Sequence, residues 1–215
     1  MNNSINYLKF DFKIAKKSIK YYVLIQLIIC CSFIFSGNYD FGMSYLLFFL
    51  VVLGTIPFSI QGNEKSTEMY YMFPARTSSM VLGRFLYLIC ASLVIFLLSG
   101  IIILVLYKVN KIGSLEVLTI CLNAIISLTI CLIQYPIFYK LGLEKGKMLS
   151  TIIYLVSGLI IFLLPRGNEY INMKLQGNVY LNNNILLMLL SLLIATLIGY
   201  ISYLISCRIC KKKEI

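Results

Sequence analysis

The chain has 215 residues, 60% of them hydrophobic, a mean hydropathy of +0.90 and a net charge of +11, with neither His nor Trp. Apolar content on this scale excludes a water-soluble fold. The lack of His excludes His-activated nucleophiles, and eight scattered carboxylates do not build a metal cluster. Nucleic acid is not an expected partner either, because the basic residues are dispersed among apolar runs rather than gathered on one polar face.

The first 20 residues predict an amphipathic interfacial (elbow) helix. At about 100° per residue, Ile5, Leu8, Phe12, Ala15 and Ile19 share one arc, and Lys9, Lys13, Lys16, Lys17 and Lys20 share the next. An apolar face beside a basic one suits a helix lying on membrane lipids, with its lysines at anionic headgroups. The alternative is a basic arm without fixed structure. Because the first apolar run follows these residues with no small-residue cleavage pattern after it, a removed leader is not expected.

Residues 21–207 predict an all-α, six-helix transmembrane domain. Apolar runs at 21–36, 41–60, 85–107, 115–139, 149–164 and 185–207 approach or exceed the roughly 20 residues that cross a hydrocarbon core about 30 Å thick. With the N-terminus inside, every basic residue of the 19 except Lys108, Lys111, Arg166 and Lys174 falls on the cytoplasmic side. That bias predicts both termini in the cytoplasm, ending in a basic tail over 208–215. Heavy use of Ile, Lys, Asn, Tyr and Phe fits an AT-rich bacterial genome, and hence a bacterial plasma membrane.

Connections follow in chain order. The stretch 37–40 predicts a tight turn and 108–114 a short loop, while the polar stretch 165–184 is either a solvated outer loop or a cap over an exit. The cytoplasmic connection 61–84 is the richest. Glu64 to Phe73 are expected to make a short helix with Glu64, Lys65 and Glu68 polar and Met69, Tyr70, Met72 and Phe73 apolar, with Pro74 to stop it and Thr77 or Ser78 to cap the next helix. Aromatic and Met side chains on such a segment serve either as anchors for a protein partner or as a membrane-skimming surface.

The fourth run carries a polar stripe, Thr119, Asn123, Ser127, Cys131 and Gln134, within about 120° of arc. These residues line a path through the bilayer or hydrogen-bond neighbouring helices. Pro57 and Pro136 predict bends near the inner ends of the second and fourth runs. Apart from Glu116 at one edge, the six runs contain no Asp, Glu, Lys or Arg, which removes the usual proton relay of a secondary transporter and the acids of an intramembrane protease. Gly142 to Met148 only superficially resemble a nucleotide-binding loop: three residues separate Gly142 from Gly146, and Met148 stands where Ser or Thr is required. Cys207 and Cys210 form a C-x-x-C with no second pair and no His, so the seven cysteines are expected to be apolar filler.

From Phe73 through Pro74, Ala75, Arg76, Thr77, Ser78, Ser79, Met80, Val81, Leu82 and Gly83 to Arg84, the chain resembles the Leu-Pro-x-Ser-Arg to Val-x-Gly-Lys stretch of type-2 ABC exporter permeases. Phe73 stands for Leu, Ala75-Arg76-Thr77 for the usual Ser-Arg, and Arg84 for Lys. The architecture is similar over the whole chain, in particular to small bacterial permeases that export peptide toxins such as phenol-soluble modulins or confer antimicrobial-peptide resistance. The resemblance implies that Glu64, Glu68, Tyr70, Tyr71, Met72, Phe73 and Arg76 dock onto a separate ABC ATPase subunit. It also implies a second permease copy, or a sister permease, around a shared pathway. On this expectation the chain is not itself an enzyme and holds no cofactor; ATP and magnesium bind the partner. Hydrophobic or amphipathic peptides are the expected cargo, and Thr119, Asn123, Ser127 and Gln134 are the pathway candidates. A membrane protein that confers immunity to a peptide antibiotic by binding alone is the alternative.

Overall fold

The computed structural model describes residues 2–60, 77–175 and 184–213, with side chains described up to 141, over 151–159 and from 188 onward, apart from isolated positions. The described elements are all α-helical: α1 Asn2–Phe35, α2 Tyr39–Ile60, α3 Thr77–Lys108, α4 Ser114–Leu175 and α5 Asn184–Lys213. Among the described residues, each of the five contains a segment long and apolar enough to cross a membrane: Ser18–Phe35, Tyr39–Phe58, Thr77–Lys108, Glu116–Leu141 and Met188–Lys212. The expected class, a helical membrane protein, holds; among the described residues there are five helical elements where six spans were expected.

Short polar signals set the helix ends. α1 stops at Gly37, which takes φ 79°, with Gly37 N–H bonded to Ile34 O at 3.1 Å and Asn38 N–H to Phe33 O at 3.0 Å. This paired 5→2 and 6→1 pattern needs a left-handed residue, and Gly adopts that conformation without a Cβ clash. α3 ends the same way on Asn110, at φ 54°, with Asn110 N–H on Tyr107 O and Lys111 N–H on Leu106 O. α4 begins with a capping-box bond, Glu116 Oε2 accepting from Gly113 N–H at 2.6 Å. The one acid at the edge of an apolar run is therefore a cap.

α2 is the central helix, packed by α1, α3 and α4, while α5 lies chiefly on α4. Met43, Leu47 and Leu50 of α2 are wholly buried with Tyr87 and Leu88 of α3 and Tyr135 of α4. The outer faces of α1, α3 and α5 present Leu24, Ile28, Leu97, Ile101, Leu193 and Leu197, each more than half exposed. In water such a surface would drive association; against lipid tails it carries no penalty.

Two expectations need correction. The expected interfacial helix and first span are continuous in one helix over residues 2–35, with no Gly or Pro to interrupt them and the membrane-crossing segment beginning at Ser18. Its bundle-facing residues are Ser4, Tyr7, Asp11 and Ala15, a face turned roughly 75° from the predicted apolar arc, so that Ile5 and Phe12 stay partly exposed. The expected fourth and fifth runs belong to one helical element, α4, that doubles back. Asn123 meets Ser44 and Cys131 meets Gly54, so this arm runs parallel to α2. Tyr154 then bonds Thr55, and Gly158 lies against Phe48, so the second arm runs antiparallel. In a straight helix residues 131 and 154 would stand about 35 Å apart, yet they meet consecutive residues of α2. Only part of the expected run 149–164 has described side chains, which leaves it outside the five membrane-crossing segments.

Candidate functional site

The end of the bundle where α1 and α3 begin, where α2 and α5 finish, and where the first arm of α4 finishes, is called the foot. Lys9, Lys13, Lys140, Arg208, Lys211 and Lys212 come to this end, whereas Lys108 and Lys111 lie at the other. A single cluster ties all five helices together there, and it is the best candidate for a working part.

Glycine makes the cluster possible. A Cβ on Gly83 would stand 2.6 Å from Tyr7 Cβ and 2.9 Å from Ser4 O, so α1 crosses the start of α3 at a distance only Gly allows. Tyr7 and Asp11 are thereby drawn inside, and the Phe12 ring packs at 4.8 Å from that of Tyr87. One residue beyond Gly83, Arg84 is 2% exposed, with its guanidinium 4.4 Å from the centre of the Phe58 ring and 5.4 Å from that of Tyr139. A cation over aromatic faces is attracted by the ring quadrupole, and more strongly where water is excluded.

The rings form a continuous set. Phe58 packs edge-on to Tyr135 and Tyr139 and stacks on Phe138, and Phe85 joins Tyr135 to Tyr203 of α5. The Tyr135 hydroxyl donates to Arg84 O at 3.4 Å. Burial pushes the Asp11 carboxyl up to about 6, while Arg84 pulls it down in part. Thus a buried cation, a buried acid and a ring stack join α2, which enters the connection 61–76, to α3, which leaves it, and to the closing turns of α4's first arm.

The sequence-predicted residues fare differently. Glu64, Glu68, Tyr70, Tyr71, Met72, Phe73 and Arg76 lie outside the described residues. Asn123, Ser127 and Gln134 are buried between α4 and its neighbours, and Thr119 is half-buried. Asn123 Nδ2 donates to Ser44 Oγ at 3.4 Å, and Ser127 Oγ to Ala124 O of its own helix at 2.8 Å. Neither amide atom of Gln134 has a hydrogen-bond partner among the described residues. The stripe therefore faces protein in this state. Its members do not form one site: Asn123 and Gln134 stand roughly 16 Å apart along the helix.

Asp11, Phe58, Tyr87, Tyr135, Phe138 and Tyr139 are the residues that sequence reasoning missed. One signal was available: Asp11 is the lone acid in an otherwise basic helix, and aromatic residues recur at the same end of successive apolar runs.

A family model described as "ABC-2 family transporter protein" matches residues 7–211. Neither a curated protein nor a solved structure matches the chain.

Proposed function

The chain belongs to the ABC-2 family of transporter proteins, and from that premise we propose that it is the permease of an ATP-driven exporter of hydrophobic or amphipathic peptides. A separate ABC ATPase binds ATP and magnesium below the bacterial plasma membrane, two permease copies enclose the pathway, and the ATPase docks on Glu64 to Phe73 with Arg76 beside it. The cluster on Arg84 is the observation that carries this reading. Phe58 stands just before the connection 61–76 and Arg84 just after it, and both touch the foot of α4 through Tyr135 and Tyr139. Force applied to the connection is thus delivered to three helices at once. A chain whose apolar runs hold no ion-coupling charge needs such an external drive.

Amphipathic peptide fits as cargo because the described interior is apolar, with amide and hydroxyl groups instead of charges along α4. The test is co-purification with ATPases encoded beside the gene, followed by ATP hydrolysis in lipid. A complex that hydrolyses ATP is expected. Glu68→Ala, Tyr71→Ala and Phe73→Ala should then lower peptide-stimulated hydrolysis roughly tenfold, the loss of about 1.4 kcal/mol of coupling, without changing the amount of permease in the membrane. Failure of every neighbouring ATPase to bind would point instead to immunity by binding alone, and unchanged stimulation in all three variants would remove the docking assignment.

A further inference from the structure

Two prolines sit near the foot ends of α2 and α4, and each deprives its own helix of one hydrogen bond. Pro57 has no N–H for Leu53 O, and Pro136 has none for Leu132 O. Both carbonyls are met from a neighbouring helix. The Tyr87 hydroxyl of α3 donates to Leu53 O at 3.4 Å, and Ser202 Oγ of α5 donates to Leu132 O. All four residues are buried.

We propose that Tyr87 and Ser202 are latches on two proline hinges, holding the foot ends of α2 and α4 to α3 and α5, and that releasing them lets those ends swing. Several observations converge. A proline bend concentrates flexibility at one point, because the ring clashes with the turn before it and the broken ladder no longer resists bending there. In an apolar interior the freed carbonyl cannot turn to water, so the hydroxyl that meets it decides whether the interrupted helix is held. The donors lie on different helices from the carbonyls, so each bond survives only while two helices keep their register. Beyond the hinges lie Phe58, Phe138 and Tyr139, the side chains that pack around Arg84 and its neighbours. Tyr87 is also the ring on which Phe12 of α1 packs, so displacing α1 would disturb the first latch. The residues serve as positioning groups, and the carbonyl of each hinge is their point of action.

The role of these latches in transport rests on the permease reading above, but their existence is tested without an ATPase. Hydrogen exchange of the full chain in lipid nanodiscs reads the opening of each hinge. Ser202→Ala should speed exchange of amides 137–141 about fivefold, the worth of one ordinary intramolecular hydrogen bond, and leave amides 117–130 unchanged. Ser202→Thr keeps the hydroxyl and should keep protection. Pro136→Ala supplies the missing N–H to Leu132 O, so adding Ser202→Ala to it should change exchange by less than about twofold. Tyr87→Phe should act in the same way at 58–60, more weakly because of the longer bond, and should become silent in Pro57→Ala. The inference is overturned if Ser202→Ala costs as much in the Pro136→Ala background as in the parent chain, if exchange rises evenly along α4, or if the Pro136→Ala, Ser202→Ala pair fails to fold. Intact latches in a permease that no ATPase binds would leave this inference standing and remove the exporter reading.

Discussion

Asp11 is the most consequential single residue outside the apolar runs. It is 3% exposed, and burial raises its pKa from 3.8 to about 6 in spite of Arg84. Because the folded-state value is the higher one, the unfolded chain ionises first as pH rises from about 4. Stability therefore falls between about pH 4 and 6, and above 6 the whole cost is present. At roughly 1.36 kcal/mol for each pH unit of separation, that cost reaches about 3 kcal/mol. Asp11→Asn removes the ionisation and should flatten the thermal-denaturation midpoint between pH 4 and 7. A pH profile identical to that of the parent would show that Asp11 is solvated in the membrane-bound protein.

At the scale of elements, the contact between α1 and α3 turns on Gly83. Replacing a helix-interior Gly by Ala ordinarily gains about 1 kcal/mol of helix propensity. Here the added methyl meets Tyr7 Cβ and Ser4 O, both fixed to the α1 backbone, so α1 must shift as a body. Overpacking of that kind costs about 1–3 kcal/mol, and the clash outweighs the propensity gain. Gly83→Ala should accordingly expose residues 2–15 to limited proteolysis while α2 to α5 stay protected. Equal protection in both proteins would place the crossing elsewhere. The helix itself was legible in the sequence, as were the turn at Gly37 and the short loop before α4. Which face of α1 turns inward was not, because periodicity ranks Ile5 and Phe12 above Ser4 and Asp11, and lipid satisfies an apolar face as well as protein does. For the same reason the polar stripe of α4 was legible as a stripe, but its partner α2 was not.

For the molecule as a whole, the doubling back of α4 decides the parity of the topology. Five simple crossings would leave the termini on opposite sides of the membrane. The structure brings the start of α1, where Ser4 abuts Gly83, and the end of α5, where Tyr203 meets Phe85, to the same foot. Protease-cleavable tags at residues 1 and 215 should therefore be cut from the same side, and the basic residues at the foot make the cytoplasmic side the expected one. Cleavage from opposite faces would mean that the second arm of α4 does not cross.

The sequence by itself determined the solvent, the helical class and the turns at Gly37 and at 108–114 that end α1 and α3. These follow from composition, from backbone groups that must bond internally in lipid, and from Gly, Asn and Pro acting within a turn of their own position. It also marked Pro57 and Pro136 as breaks in the hydrogen-bond ladders of their helices and Gly83 to Arg84 as part of a family-like stretch. Only the tertiary structure decided that Arg84 is boxed by rings from α2 and α4, that Asp11 shares its pocket, and that hydroxyls from α3 and α5 meet the two freed carbonyls. The two hydroxyl bonds alone join residues 34 and 70 positions apart, and in a bundle where nearly every face is apolar no local pattern says which faces meet.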